Sequence, residues 1–119
     1  MKIMMKNLSL VVMSLMAILV TVFLFRMEVK INSMKVMRVQ LMSLRISGRL
    51  FRAVEGRNPE SMAELLEGEY SFPGEERRRF FVDRLFVEDG VVLDPFANPY
   101  GYDETTGIIY SSSSCCENW

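Results

Sequence analysis

Residues 7–25 read NLSLVVMSLMAILVTVFLF, and this stretch decides the fold. It contains no charged residue, no glycine and no proline, and it is bounded by Lys6 and Arg26. Nineteen residues at about 1.5 Å each span about 28 Å, close to the hydrocarbon thickness of a bilayer. A transmembrane helix is therefore predicted over 7–25, behind a short leader-like segment at 1–6. A cleaved secretory signal is the competing reading, with an apolar core of about 7 to 15 residues that ends at small residues. Here the run closes on Phe23-Leu24-Phe25-Arg26-Met27-Glu28, which offers no such site. No cysteine lies nearby for lipid attachment, and a retained span is expected.

Moving outward, the first glycine is Gly48 and the first proline Pro59, so nothing stops a helix between Asn7 and about Val54. Apolar residues recur at Met27, Ile31, Met34, Met37, Leu41, Leu44 and Phe51, the three-and-four spacing of an amphipathic helix over 26–55. Arg26, Lys30, Lys35, Arg38, Arg45, Arg49 and Arg52 fill other positions. A helix of that length wants a partner along it. The stripe can serve as core contact with the rest of the chain or as coiled-coil or filament packing, and both can hold on different faces.

Residues 56–119 read as a small α+β head. Gly56 suits a left-handed cap. Asn58 and Pro59 read as N-cap and first helical residue of a helix from Glu60 to about Glu67, burying Met62, Leu65 and Leu66. Glu75 to Phe81 is expected to form a helical turn, with Arg77, Arg78 and Arg79 on a solvated face or a partner patch. Asp89-Gly90 between β-branched residues predicts a hairpin over 86–93. Residues 94–102 form a turn-rich aromatic loop, and Gly107 to Ser111 a final strand.

Net charge is −1, so no overall basic field points to nucleic acid. The chain has no histidine, which removes the commonest catalytic base and metal ligand, and no catalytic set is expected. Cys115 and Cys116 are adjacent, about 3.8 Å apart at Cα, closer than the usual disulfide range of about 4.4 to 6.8 Å. A bond between them would close a strained ring, and free thiols or pairing with another chain stay open. Asp94, Asp103, Glu104 and Glu117 are oxygen donors for calcium, but their spacing matches no EF-hand loop, and turn capping accounts for them too. Basic residues on both sides of the span, Lys2 and Lys6 before it and Arg26 to Arg38 after it, lean towards a cytoplasmic head by the positive-inside rule.

Two stretches resemble bacterial pseudopilins. Gly56-Arg57-Asn58-Pro59-Glu60-Ser61 is similar to their G-R-Y-P-x-S segment, and Asp94-Pro95-Phe96-Ala97-Asn98-Pro99-Tyr100 to their D-P-W-G-N-P-Y signature. The closing Asn118-Trp119 resembles the end of the major pseudopilin of type II secretion systems. With the long helix, the resemblance covers nearly the whole chain in order. It implies a type IV pilin-like fold, a long helix packed on a small antiparallel sheet. It also implies a bacterial inner-membrane protein with its head outside the cytoplasm, set among membrane lipid, other pilin-like subunits and inner-membrane secretion components in a homo- or hetero-oligomeric filament. The role is structural rather than enzymatic. Aligning the family's processing signal on Leu8-Ser9-Leu10-Val11 places Asn7 where a glycine stands and Val12 where a glutamate stands. Ala97 replaces the motif's glycine, and the calcium loop shortens to residues 111–116. An uncleaved chain would keep Lys2 and Lys6 on the cytoplasmic side, since drawing them into lipid is costly. Such a chain would be a fixed anchor using the head as binding module or assembly factor.

Overall fold

A computed structural model describes the backbone of residues 1–119 and every side chain except that of Leu85. Helix α1 runs over Lys2–Glu55, 54 residues without a break. It begins earlier than expected, since nothing in Lys2–Lys6 opposes helix once the apolar run is helical. The chain forms two compact units, Met1–Met34 and Lys35–Trp119. The first is α1 alone, and its side chains are exposed up to Asn32. The fold is α+β, a long N-terminal helix with small antiparallel two-stranded sheets, the pilin-like layout expected.

In the second unit, Met37, Leu41, Leu44, Ser47 and Phe51 are buried along one stripe of α1. The head covers them. The Phe51 and Phe81 ring centroids lie 5.0 Å apart, and Ser111 Oγ sits 3.5 Å from Met37 Sδ. Arg45 Nε donates to the Ile109 carbonyl at 2.9 Å, and Tyr100 hydroxyl donates to Gln40 Oε1 at 2.8 Å. This half of the predicted stripe is thus core. Met27 and Ile31 stay about half exposed, and Met34 is half-buried.

Gly56 ends α1 in the left-handed region at φ 75°, its N–H donating to the Arg52 carbonyl at 2.9 Å. The second helix, α2, spans Met62–Glu67, two residues shorter at its start than expected. Its N-cap is Ser61, not Asn58. Ser61 Oγ accepts from Glu64 N at 3.2 Å, and the Glu64 carboxylate accepts from Glu60 N at 2.6 Å. This reciprocal arrangement is close to a capping box. Pro59 is buried outside the helix, and its carbonyl accepts from the Tyr102 hydroxyl at 2.5 Å instead of from a helical N–H. Leu65 and Leu66 are buried as expected, while Met62 is half-buried.

Strand β1, Glu69–Tyr70, pairs with β2, Arg79–Phe80, in antiparallel register, Glu69 opposite Phe80 and Tyr70 opposite Arg79. The helical turn expected at 75–81 is absent. Phe81 is pulled into the core between Phe51 and Tyr70, and its N–H donates to the Gly68 carbonyl at 3.3 Å, which holds this stretch extended. A Cβ at Gly68 would lie 3.0 Å from both the Glu64 carbonyl oxygen and the Phe81 ring, so a side chain there would make these neighbours give by a few tenths of an ångström. Arg77, Arg78 and Arg79 are exposed, with ion pairs from Arg78 to Glu69 at 3.7 Å and from Arg79 to Glu75 at 3.2 Å.

The Asp89-Gly90 turn forms with φ of 51° and 76°, closed by reciprocal backbone bonds between Glu88 and Val91 at 2.9 and 3.0 Å. The expected hairpin stops at that bridge. Arg84–Phe86 is a 3-10 turn on one side, and Leu93 pairs with Pro99 on the other. Strand β3, Gly101–Asp103, and β4, Ile108–Tyr110, form the second antiparallel pair, with Ile109 fully buried. Cys115 and Cys116 are joined to each other in a disulfide, Cys116 buried and Cys115 exposed.

The cap of α2 generates a pH prediction. The hydrogen bond from Arg57, then that from Glu60 N–H, holds the Glu64 carboxyl below the usual carboxylate range. A depressed folded pKa contributes stability above the unfolded value of about 4.3, lost as pH falls through the folded value. In Arg57→Ala the Glu64 carboxyl should titrate at higher pH in an NMR titration. An unchanged titration would remove Arg57 as the cause.

Candidate interaction surfaces

The apolar run of α1 is one candidate surface. α1 contains an 18-residue window long and apolar enough to cross a membrane, with mean hydropathy 2.7 and none of the window buried within the chain. Burial in the chain's own core does not account for this face. Its backbone groups are satisfied within the helix, which is what a lipid phase demands. Ser14 and Thr21 return their hydroxyls to the carbonyls of Val11 and Ala17, both at 2.8 Å, so neither needs water. Asn7 and Leu8, where the processing bond is expected, lie inside α1 and are exposed.

A polar clamp lies beneath the loop between the two bridging segments. Asp94 is only 5% exposed. Its Oδ1 accepts from Phe96 N and Asn98 N, both at 2.9 Å, and its Oδ2 accepts from Ser113 Oγ. Asn98 Nδ2 donates to Ser113 Oγ at 3.0 Å, and Ser112 Oγ donates to the Pro99 carbonyl. The clamp ties the aromatic loop to residues 111–113. Tyr100 is buried beside it, and burial, then the charge of Asp94, pushes its phenol well above the ordinary range, which keeps it a donor to Gln40. Pro95 and Pro99 are exposed at the surface of the loop. Ala97 sits at φ 62°, a left-handed conformation at the position where the resembling motif has glycine.

Asp94 therefore commits its oxygens to internal donors. Asp103 is exposed, and its carboxyl is held low by hydrogen bonds, first from the Thr106 side chain and then from Thr105 N–H. Glu104 and Glu117 are exposed. Among the described residues, no three histidine, cysteine, aspartate or glutamate side chains converge to hold a metal ion, so the four calcium donors are not gathered into one site. Trp119 is half-buried, with the Arg38 guanidinium 5.4 Å from its ring centroid.

A third surface is an open groove of about 430 Å³ lined by Arg45, Arg49, Arg52, Asn58, Thr106 and Gly107. Among the described residues none of these arginines is in an ion pair. Sequence reading missed Ser113, Gln40 and Arg45 as anchors of the head. Ser113 sits in a serine run with no periodic signal, and Gln40 and Arg45 look like ordinary polar helix residues. No family model, curated protein or solved structure matches this chain.

The clamp and the strained turn beside it predict opposite effects. Asp94→Ala leaves two part-buried N–H groups and the buried Ser113 hydroxyl without their acceptor and should destabilise the head by about 2 to 4 kcal/mol. Ala97→Gly relieves a left-handed alanine and should stabilise it by roughly 0.5 to 1 kcal/mol, the gain left after the extra entropy of an unfolded glycine. Urea unfolding of the full chain in detergent measures both. A destabilised Ala97→Gly would contradict the strain, and an unaffected Asp94→Ala would contradict the clamp.

Proposed function

We propose that this chain is a pilin-like structural subunit of a type II secretion or type IV filament machine, supporting protein secretion by assembling into a filament. The observation that carries this reading is the division of labour along α1. Its first part offers an unbroken apolar surface with no partner inside the chain, and its second part is committed to the head. The ordered resemblance around Gly56-Pro59 and Asp94-Tyr100 supports it further. In this reading α1 is held in the bacterial inner membrane, the head lies outside the cytoplasm, and neighbouring subunits cover the apolar run after extraction. No catalytic role is assigned to the head.

A second reading is favoured by a specific observation. α1 begins at Lys2, so the Asn7–Leu8 bond lies within helical backbone, and Val12 stands where the family has a glutamate. A chain left whole would be a permanent single-pass anchor carrying the head as a binding module or assembly factor. Lys2 and Lys6 would hold it on the cytoplasmic side.

The intact mass of the protein purified from membranes of cells with active prepilin peptidase separates the two. A mass lacking Met1–Asn7 is expected for the filament subunit, and a full-length mass would withdraw the filament-core role. Leu15 and Leu19 are 54% and 64% exposed. An aspartate at either, costing about 3 kcal/mol at mid-membrane depth, should abolish filament assembly while leaving the head folded. Filaments persisting in both variants would refute packing through this face.

A further inference from the structure

Three arginines of α1 share a groove that the head leaves open. Arg45, Arg49 and Arg52 stand four and then three residues apart, so they fall on one face of the helix. All three line a hollow of about 430 Å³, to which Gly48 and Gly107 add no side chain. Arg45 is half-buried, and its Nε donates to the Ile109 carbonyl at 2.9 Å, which fixes the guanidinium. Its two Nη groups are left without a bond among the described residues. Arg49 and Arg52 have no hydrogen-bonding, ionic or aromatic partner among the described residues. The Asn58 carboxamide, which also lines the groove, is likewise unbonded among them. It packs so close to Gly107 that a Cβ there would lie 2.8 Å from Asn58 Oδ1.

We propose that this groove binds a phosphate group carrying at least two negative charges, a phosphomonoester or a diphosphate. Like charges at three- and four-residue spacing repel, and no aspartate or glutamate between Lys35 and Val54 relieves them. Carboxylates are plentiful in the head, where residues 55–119 hold fourteen acidic and five basic side chains. Arg57, Arg78 and Arg79 are paired there with Glu64, Glu69 and Glu75. Among the described residues, however, no carboxylate lines the groove. Asp103 and Glu104, in the turn next to Thr106, line a separate hollow, and the Asp103 carboxylate accepts from Thr105 N at 3.0 Å. Three uncompensated guanidiniums suit a dianion or trianion better than the single charge of a carboxylate. The guanidinium fork also matches phosphate oxygens two at a time. Asn58 adds an uncharged N–H donor beside them. The volume falls within the range of small-molecule sites, about 300 to 1,000 Å³, which leaves room for the group that bears the phosphate.

Isothermal titration calorimetry of the full chain in neutral detergent, at one fixed low ionic strength, tests this with inorganic pyrophosphate, inorganic phosphate and acetate. Pyrophosphate is expected to bind more tightly than phosphate, and acetate not to bind. Arg49→Gln with Arg52→Gln should weaken pyrophosphate binding by at least about tenfold. Both positions are exposed, so circular dichroism should show the head intact. Arg77→Gln with Arg78→Gln removes two exposed arginines outside the groove and should change the affinity by less than about twofold. A loss as large in that second variant would reduce the effect to general attraction between arginines and anions and overturn the site. Absence of pyrophosphate binding would overturn it too, as would acetate binding as tightly as pyrophosphate, the behaviour of a site for acidic peptide. Short-chain phosphatidic acid added to the micelles identifies the source. Displacement of pyrophosphate upholds the site with a lipid headgroup as ligand, and no displacement upholds it with a soluble phosphate compound. The inference stands apart from the filament reading, since neither cleavage of the chain nor its assembly enters the measurement.

Discussion

One stripe of one helix holds the head together. Met37, Leu41, Leu44 and Phe51 form the floor of the second unit, and the other elements reach that floor by named contacts. Phe81 stacks near Phe51, Ser111 meets Met37, the Ile109 carbonyl takes Arg45, and Tyr100 takes Gln40. The strands beyond Gly56 are two or three residues long and pair only two at a time. Such hairpins are marginal alone in water, and about 60 residues bury too small a fraction of their surface to compensate. The helix supplies the apolar area that the sheets lack. Truncating that stripe would therefore unfold the head as a unit rather than loosen one contact.

The same helix is asked to do something different in its first part. Between Asn7 and Phe25 each large apolar side chain is about half exposed or more, and no element of the chain covers it. Leaving that much apolar surface in water is unfavourable by roughly 1.5 to 3 kcal/mol for each large side chain, so lipid or another protein has to cover it. A helix is the one open-ended element that can enter lipid without stranding backbone polar groups. The unbroken hydrogen-bonded ladder of α1, with Ser14 and Thr21 turned back onto it, meets that requirement. These properties fit a transmembrane helix whichever way the proposed function is resolved.

The polar interior of the head is economical. Among the described residues no buried side-chain nitrogen or oxygen lacks a partner. Asp94 organises most of this, drawing two backbone N–H groups and Ser113 onto one carboxylate. A residue that reads in sequence as a calcium donor is thereby a fastener between the aromatic loop and the chain's last segment. Ala97 bears the cost of the tight turn that the clamp closes, because a left-handed alanine is disfavoured by about 1 to 2 kcal/mol.

By itself the sequence determined the long helix, its apolar run and the amphipathic character of the part beyond it. It also determined the turns at Gly56 and Asp89-Gly90. Those signals are local: absence of charge, three-and-four spacing, and residues that tolerate positive φ. Only the tertiary structure decided that 75–81 is extended, because Phe81 is captured by Phe51 and Tyr70. It moved the start of α2 to Met62, because Tyr102 takes the Pro59 carbonyl from 43 residues away. It gave Asp94 its structural use through Ser113, 19 residues on, and Gln40 its role through Tyr100, 60 residues on. It also decided which apolar residues of that later part are spent on the head, since only packing shows which are covered. Local propensity acts within a turn or two of chain, whereas these choices are set by side chains that meet only after the chain has folded back on α1.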